Sequence, residues 1–228
     1  MDIKEISRLK EEMCEIGYRI QNNGFVAAND GNITVKIDEG QYLVTPTGAS
    51  KGYMKPGMIS IVNEEGEILD GLFKPSSEFK VHLCVYKHRP DARSVIHTHP
   101  PIATAYAVAG IPLDKYFLPE GICGIGSVPI VPYAIPGSQE LADSMIPYLK
   151  DHNALLLENH GAVTVGNSLS EAYFKTETLE YSAKIMLLTS LIGRSHELPK
   201  EEIDKLLTRI REENPKLVHP GYRKYNSI

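Results

Sequence analysis

The sequence has no excess of basic charge: 24 Lys and Arg stand against 29 Asp and Glu, for a formal net charge of −5. Without a general positive field the chain has no electrostatic reason to gather on nucleic acid or an acidic membrane, and neither is expected as a partner. Cysteine is scarce. Cys14, Cys84 and Cys123 are odd in number and widely spaced, with no CxxC pair, which argues against a disulfide framework and for ordinary, mostly buried thiols in a reducing compartment. No apolar run approaches the length of a membrane span, and the opening MDIKEISRLKEE is charged from its second residue, unlike the apolar centre of a signal peptide. A cytoplasmic protein is expected. The Walker and dinucleotide glycine patterns are missing too, so neither ATP nor NAD is inferred.

What is present is a soluble composition, 42% hydrophobic and 23% charged over 228 residues, with enough mass for a real core. Ile6, Leu9, Met13, Ile16 and Ile20 recur at steps of three and four before Gly24, which predicts an amphipathic helix over 3–23. Short β-like runs follow at 33–37, 42–45, 58–62 and 67–69, joined by turn-forming segments such as Asp38-Glu39-Gly40. Helices are expected over 77–87, 102–109, 138–150, 169–191 and 200–212, and further strands over 94–99, 128–131, 154–158 and 162–165. No repeat or linker interrupts the pattern, so it reads as a single α/β domain over 1–228, its mainly antiparallel sheet flanked by helices, with a C-terminal tail at 214–228.

Two histidines, His97 and His99, stand two residues apart on a predicted strand. A strand repeats its face every two residues, so both imidazoles point the same way and can share one ion. Alone, the pair fits equally well a buried hydrogen-bonded histidine beside a strand-end one. His160, in the turn Asn159-His160-Gly161 after another apolar strand, shifts the balance. Three imidazoles with an open position suit a catalytic zinc better than a closed structural site, where cysteine ligands are usual. His82, His88, His152, His196 and His219 lack such partners and read as surface or helix residues.

A second constellation is Pro75-Ser76-Ser77-Glu78 at a predicted helix start. By itself it is a plain helix cap, with Glu78 a first-turn carboxylate. Two other small polar turns in the same half, Gly31-Asn32 and Thr45-Pro46-Thr47-Gly48, add close backbone approach and neutral donors, which together can hold a phosphate.

Taken in chain order, Gly31-Asn32, Thr45–Gly48, Pro75–Glu78, His97-x-His99 and Asn159-His160-Gly161, these five motifs resemble the class II aldolase/adducin family over nearly the whole chain. The resemblance implies a three-layer α/β/α fold around a mainly antiparallel sheet. It implies that His97, His99 and His160 ligate Zn2+, one per chain. Glu78 would ligate the ion in the empty site and act as the proton-transferring acid/base, and Gly31, Asn32, Thr47, Gly48, Ser76 and Ser77 would bind the substrate phosphate. Tyr116 matches a tyrosine that reaches a neighbouring subunit's site, and Tyr222 or Tyr225 of the tail matches a second. The implied assembly is a homotetramer with active sites between subunits. The implied reaction is metal-dependent cleavage of a ketose 1-phosphate, such as L-fuculose 1-phosphate, to dihydroxyacetone phosphate and an aldehyde.

Within the family, sugar-phosphate 4-epimerases typically carry Asp where this chain has Glu78, which favours the aldolase. Decarboxylases and aldolases for other sugar phosphates stay open, because Glu120 adds a carboxylate near the expected aldehyde-binding region. A non-catalytic adducin-like interaction module would not need all three histidines and Glu78, and a metal-stabilised binding domain would not need an open coordination position beside a phosphate cradle.

Overall fold

The computed structural model describes residues 1–213; the tail at 214–228, with Tyr222 and Tyr225, lies outside the described residues. Eight strands form one sheet: β1 (Asn32–Asp38), β2 (Gln41–Val44), β3 (Ser60–Val62), β4 (Ile68–Asp70), β5 (Ser94–Thr98), β6 (Ile130–Val131), β7 (Ala154–Leu157) and β8 (Gly161–Gly166). Their spatial order is β4-β3-β2-β1-β5-β8-β7-β6. Every pairing is antiparallel except β6 with β7.

The helices are α1 (Ile3–Asn22), α2 (Phe79–His88), α3 (Pro101–Ala109), α4 (Pro119–Gly124), α5 (Gln139–Leu149), α6 (Leu169–Ile192) and α7 (Lys200–Glu213). Alternate strand residues sort them into two layers. Val95, Leu155, Leu157, Val163 and Val165 face α2 and α5, and are buried with Val81, Val85, Leu141 and Met145. The intervening residues face the other way: Ile33, Val35 and Ile96 meet Met13, Ile16 and Ile20 of α1 and Tyr173 of α6, while Leu156 and Ala162 meet Ala103 and Ala107 of α3. The three-layer arrangement expected from the sequence is therefore the one observed.

Local signals account for the helix starts. The Asp2 carboxylate accepts the Glu5 N–H at 2.8 Å while Glu5 accepts the Asp2 N–H, a reciprocal capping box at α1. Ser138 caps α5 and Ser168 caps α6. At α3 the cap comes from elsewhere. Glu180 of α6 accepts the N–H groups of Ile102 and Ala103 at 3.0 and 2.8 Å, a long-range tie that no local pattern announces.

Several expectations need correction. The helix expected from Ser77 begins at Phe79; Glu78 occupies the N-cap position and Ser76 and Ser77 lie in the turn before it. The short helix α4, which holds Glu120, adds to the helices expected from the sequence. Of the three cysteines only Cys84 is buried. His82 and His152 are interior residues, with His152 Nδ1 3.0 Å from the Ser127 carbonyl oxygen. Among the described residues no helix is long and apolar enough to cross a membrane.

One buried cation joins the layer of α2 and α5 to the sheet. Arg89, just past the end of α2, donates to the carbonyls of Leu149 and His152 and to Asn153 Oδ1 at 2.9–3.0 Å, and pairs with Asp91 at 2.7 Å. Its side chain is 9% exposed and that of Asp91 60%, so the carbonyl bonds rather than the ion pair should carry the stabilisation. We predict that Arg89→Met lowers the unfolding free energy by about 3 kcal/mol, because several buried acceptors lose their donor. Asp91→Asn should cost less than about 1 kcal/mol. Urea titration of the two variants checks this, and equal losses would refute it.

Candidate active site

Strand register builds the centre of the site. β1 and β5 pair so that Asn32 lies opposite His97, and β5 and β8 pair so that His97 lies opposite Val163. His97 shares the face of Val95, toward α2, and at that end of α2 stands Glu78. Asn32 Nδ2 donates to Glu78 Oε2 at 2.8 Å. The carboxylate is thereby fixed between its neighbours: His97 Nε2 lies 3.4 Å from Oε2 and His160 Nε2 3.5 Å from Oε1.

Two glycines permit the close approaches around these groups. Gly31 has φ +74°, and a Cβ there would lie 2.6 Å from Val26 Cγ1 and 2.9 Å from the His97 carbonyl oxygen. At Gly161 a Cβ would collide with His99 Cδ2 and lie 2.6 Å from the Thr98 carbonyl oxygen. The turn before it places Asn159 at φ +54°, which carries His160 back toward β5.

His97, His99 and His160 converge, their candidate ligand atoms all lying within 4.8 Å of one another. His97 Nδ1 is 2.9 Å from the Ala162 carbonyl oxygen, an acceptor, so this nitrogen carries the proton and Nε2 is left bare. That Nε2 faces His99 Nε2 at 3.0 Å, close to the roughly 3.3 Å separating two imidazole nitrogens on one tetrahedral zinc. Burial, and then the two neighbouring imidazoles, push the His97 pKa well below the usual histidine range; burial also lowers that of His160. His160 Nδ1 is buried without a hydrogen-bond partner among the described residues. Three converging imidazole nitrogens are a donor set that suits a divalent ion, so the residues fit the implied metal.

Two groups beside the cluster escaped the sequence reading. Asp30 Oδ2 lies 3.6 Å from His99 Nδ1, on a side chain 46% exposed; its place directly before Gly31-Asn32 was the available signal. His82, four residues beyond Glu78 on α2, is fully buried, with Nδ1 2.8 Å from Thr34 Oγ1, which also lies 2.7 Å from the Tyr86 hydroxyl. Burial pulls its pKa down to about 3, so it is a neutral interior imidazole.

The three polar turns also meet. The Thr47 N–H donates to the Lys74 carbonyl, the Ser76 N–H donates to the Thr45 carbonyl, and Ser76 Oγ accepts the Glu78 N–H at 3.3 Å. Gly48 has φ +70° in this turn. The turn holding Thr47 and Gly48 is thus bonded to the Lys74–Ser76 segment that leads through Ser77 to Glu78, while Gly31 and Asn32 border the histidines from β1.

Two further residues, Tyr116 and Glu120, lie among other groups. Tyr116 is 2% exposed and enclosed with Ile122 of α4 and Ile203 and Leu207 of α7. Within the single chain its ring therefore lies in the interior. Glu120 lines a separate cleft with Glu177, Glu180, Tyr181 and Lys184. Tyr222 lies outside the described residues.

Comparison with known proteins follows the same lines. Residues 11–187 match the family model described as class II aldolase and adducin N-terminal domain. The chain is 35% identical over 184 residues to the 3-oxo-tetronate 4-phosphate decarboxylase of Escherichia coli K12, covering 79% of this chain and 86% of that one. It is 36% identical over 185 residues to the L-fuculose phosphate aldolase of Methanococcus vannielii, covering 81% and 95%. The crystal structure of Escherichia coli YgbL superposes with a TM-score of 0.82 at 33% identity, covering 88% of this chain and 98% of that one. With the histidine cluster and the antiparallel sheet agreeing with a match that spans most of its length, the chain belongs to the class II aldolase/adducin family.

Proposed function

We propose that the protein is a zinc-dependent lyase that cleaves a carbon–carbon bond in a sugar phosphate, its substrate a ketose 1-phosphate such as L-fuculose 1-phosphate. The observation that carries this reading is the Glu78 carboxylate, held by Asn32 and lying within 3.5 Å of two of the three clustered imidazoles. His97, His99 and His160 would hold the ion, which supplies Lewis-acid stabilisation of the negative charge left on the three-carbon fragment. Glu78 would return a proton to the carbon of that fragment. Asn32 Oδ1, buried and without a partner among the described residues, would accept from a substrate hydroxyl. Thr47, Gly48, Ser76 and Ser77, with Gly31, would hold the phosphate. The proton on the aldehyde oxygen would fall to a tail tyrosine, Tyr222 or Tyr225.

Decarboxylation of a 3-oxo acid phosphate is the second reading, favoured by relatives that carry that name. It needs the same charge stabilisation and differs in the leaving group, carbon dioxide in place of an aldehyde. Asp30 favours the aldolase. Its half-exposed carboxylate beside His99 would repel a substrate carboxylate and accept from a neutral hydroxyl. The expected assembly is a homotetramer, supported by the exposed apolar side chains Phe174, Tyr181, Leu188, Leu191 and Ile192 along α6.

A panel of ketose 1-phosphates scored for dihydroxyacetone phosphate, run beside 3-oxo-tetronate 4-phosphate scored for carbon dioxide, separates the two readings. We expect turnover in the first arm, abolished by chelation, with about one zinc-like ion per chain. Faster carbon dioxide release would move the assignment to the decarboxylase, and activity without bound metal would remove the zinc. Glu78→Gln should retain phosphate affinity and lose most turnover, roughly 100-fold or more. Ser77→Ala should instead raise KM more than it lowers kcat, and a Glu78→Gln enzyme near the parent rate would refute the acid/base role. Light scattering should give a mass near that of a tetramer of the 25.3 kDa chain; a monomer at assay concentration would exclude shared sites.

A further inference from the structure

Lys51 is a buried lysine outside the groups given a role above. It opens a single helical turn, Lys51–Tyr53, directly after the Thr45–Ser50 segment, and is 2% exposed. Its Nζ donates to the Ala49 carbonyl at 2.5 Å and to the Asn29 carbonyl at 3.2 Å. The backbone beneath it is locked against α1: a Cβ at Gly17 would lie 2.7 Å from the Lys51 carbonyl oxygen, and Ser50 Oγ donates to Gln21 Oε1 at 3.2 Å. Burial pulls the ammonium's pKa down to about 8 while the Asp30 carboxylate pulls it up, so at neutral pH it stays charged.

Removing an ammonium from water costs several kcal/mol, and two carbonyls offset only part of that. The position of those carbonyls supplies the reason to keep it. Asn29 lies two residues before Gly31-Asn32, and Ala49 directly follows Thr47-Gly48. One cation therefore bridges two loops, one entering β1 and the other leaving β2, that flank the open end of the β1–β2 hairpin and are read here as halves of one anion site.

We propose that Lys51 is a positioning residue for the substrate phosphate, tying the Asn29–Asn32 and Thr47–Ala49 loops at one spacing and placing a buried positive charge behind them. A methionine would fill the same space and join nothing. The proposal rests on the reading that these loops hold the phosphate, and the experiment keeps the two apart.

The test uses the metal-loaded protein with inorganic phosphate as the probe, titrated by calorimetry into the parent, Lys51→Met, Lys51→Gln and Ser77→Ala. We expect Lys51→Met to bind phosphate about tenfold more weakly or worse, the worth of a hydrogen-bonded charge, with metal content unchanged. Lys51→Gln, which keeps a neutral donor, should fall between. With whichever ketose phosphate the enzyme turns over, KM should rise in step while kcat stays within about threefold. A merely structural lysine would not move KM alone. If Ser77→Ala weakens phosphate while both Lys51 variants bind it as the parent does, Lys51 has no such role and the phosphate reading stands. If Ser77→Ala and both Lys51 variants bind it like the parent, the loops are not the anion site and both ideas fall. If neither Lys51 variant folds, the lysine serves the fold and the proposal is overturned.

Discussion

The pairing of β5 between β1 and β8 is the constraint on which the site depends. Asn32, His97 and Val163 stand in one row across three strands, and the parity that buries Val95 and Val163 under α2 also turns His97 toward Glu78. A slip of one residue would carry the imidazole to the opposite layer and bury Ile96 where it stands. The hydrophobic alternation that specifies the core therefore specifies the chemistry as well. Packing and function are set by the same register.

Around that row the electrostatics divide the labour. Burial and the two neighbouring imidazoles keep His97 neutral, while carboxylates from two other segments, Asp30 and Glu78, lie against the cluster. Charge of the opposite sign is kept at a distance from these nitrogens and out of solvent: the Lys51 ammonium is bonded to backbone carbonyls. A site laid out in this way offers a cation unprotonated donors and offers an anion a set of oriented dipoles. Neither half depends on a high net charge of the molecule.

Much of this was legible in the sequence because the signals are local or periodic. Spacing by two at His97 and His99, glycine at 31 and 161 and the apolar repeat of α1 each reflect a geometry that neighbouring residues impose. What was not legible comes from long-range contact. Glu180 caps a helix at Ile102, 78 residues earlier, His82 is interior because α2 packs Thr34 and Tyr86 around it, and Tyr116 is enclosed by α4 and α7, which lie after it in the chain. Ser76 and Ser77 read as helix caps on composition, yet Glu78 takes that position. The motif was found and its local geometry was not.

The clamp of Glu180 on α3 has a kinetic consequence. Thr98 ends β5, the His99 N–H is held by the Phe25 carbonyl, and two residues after Pro100 the chain is fastened by the carboxylate of a 24-residue helix. The segment carrying His99 is thus ordered by folding itself and leaves little conformational entropy to be lost when an ion arrives. Capture should then run at the speed with which the ion sheds its water, and release should require the breaking of coordinate bonds without prior melting of a loop. An ion held there would owe its residence to the long helix on the far layer as well as to the ligands themselves.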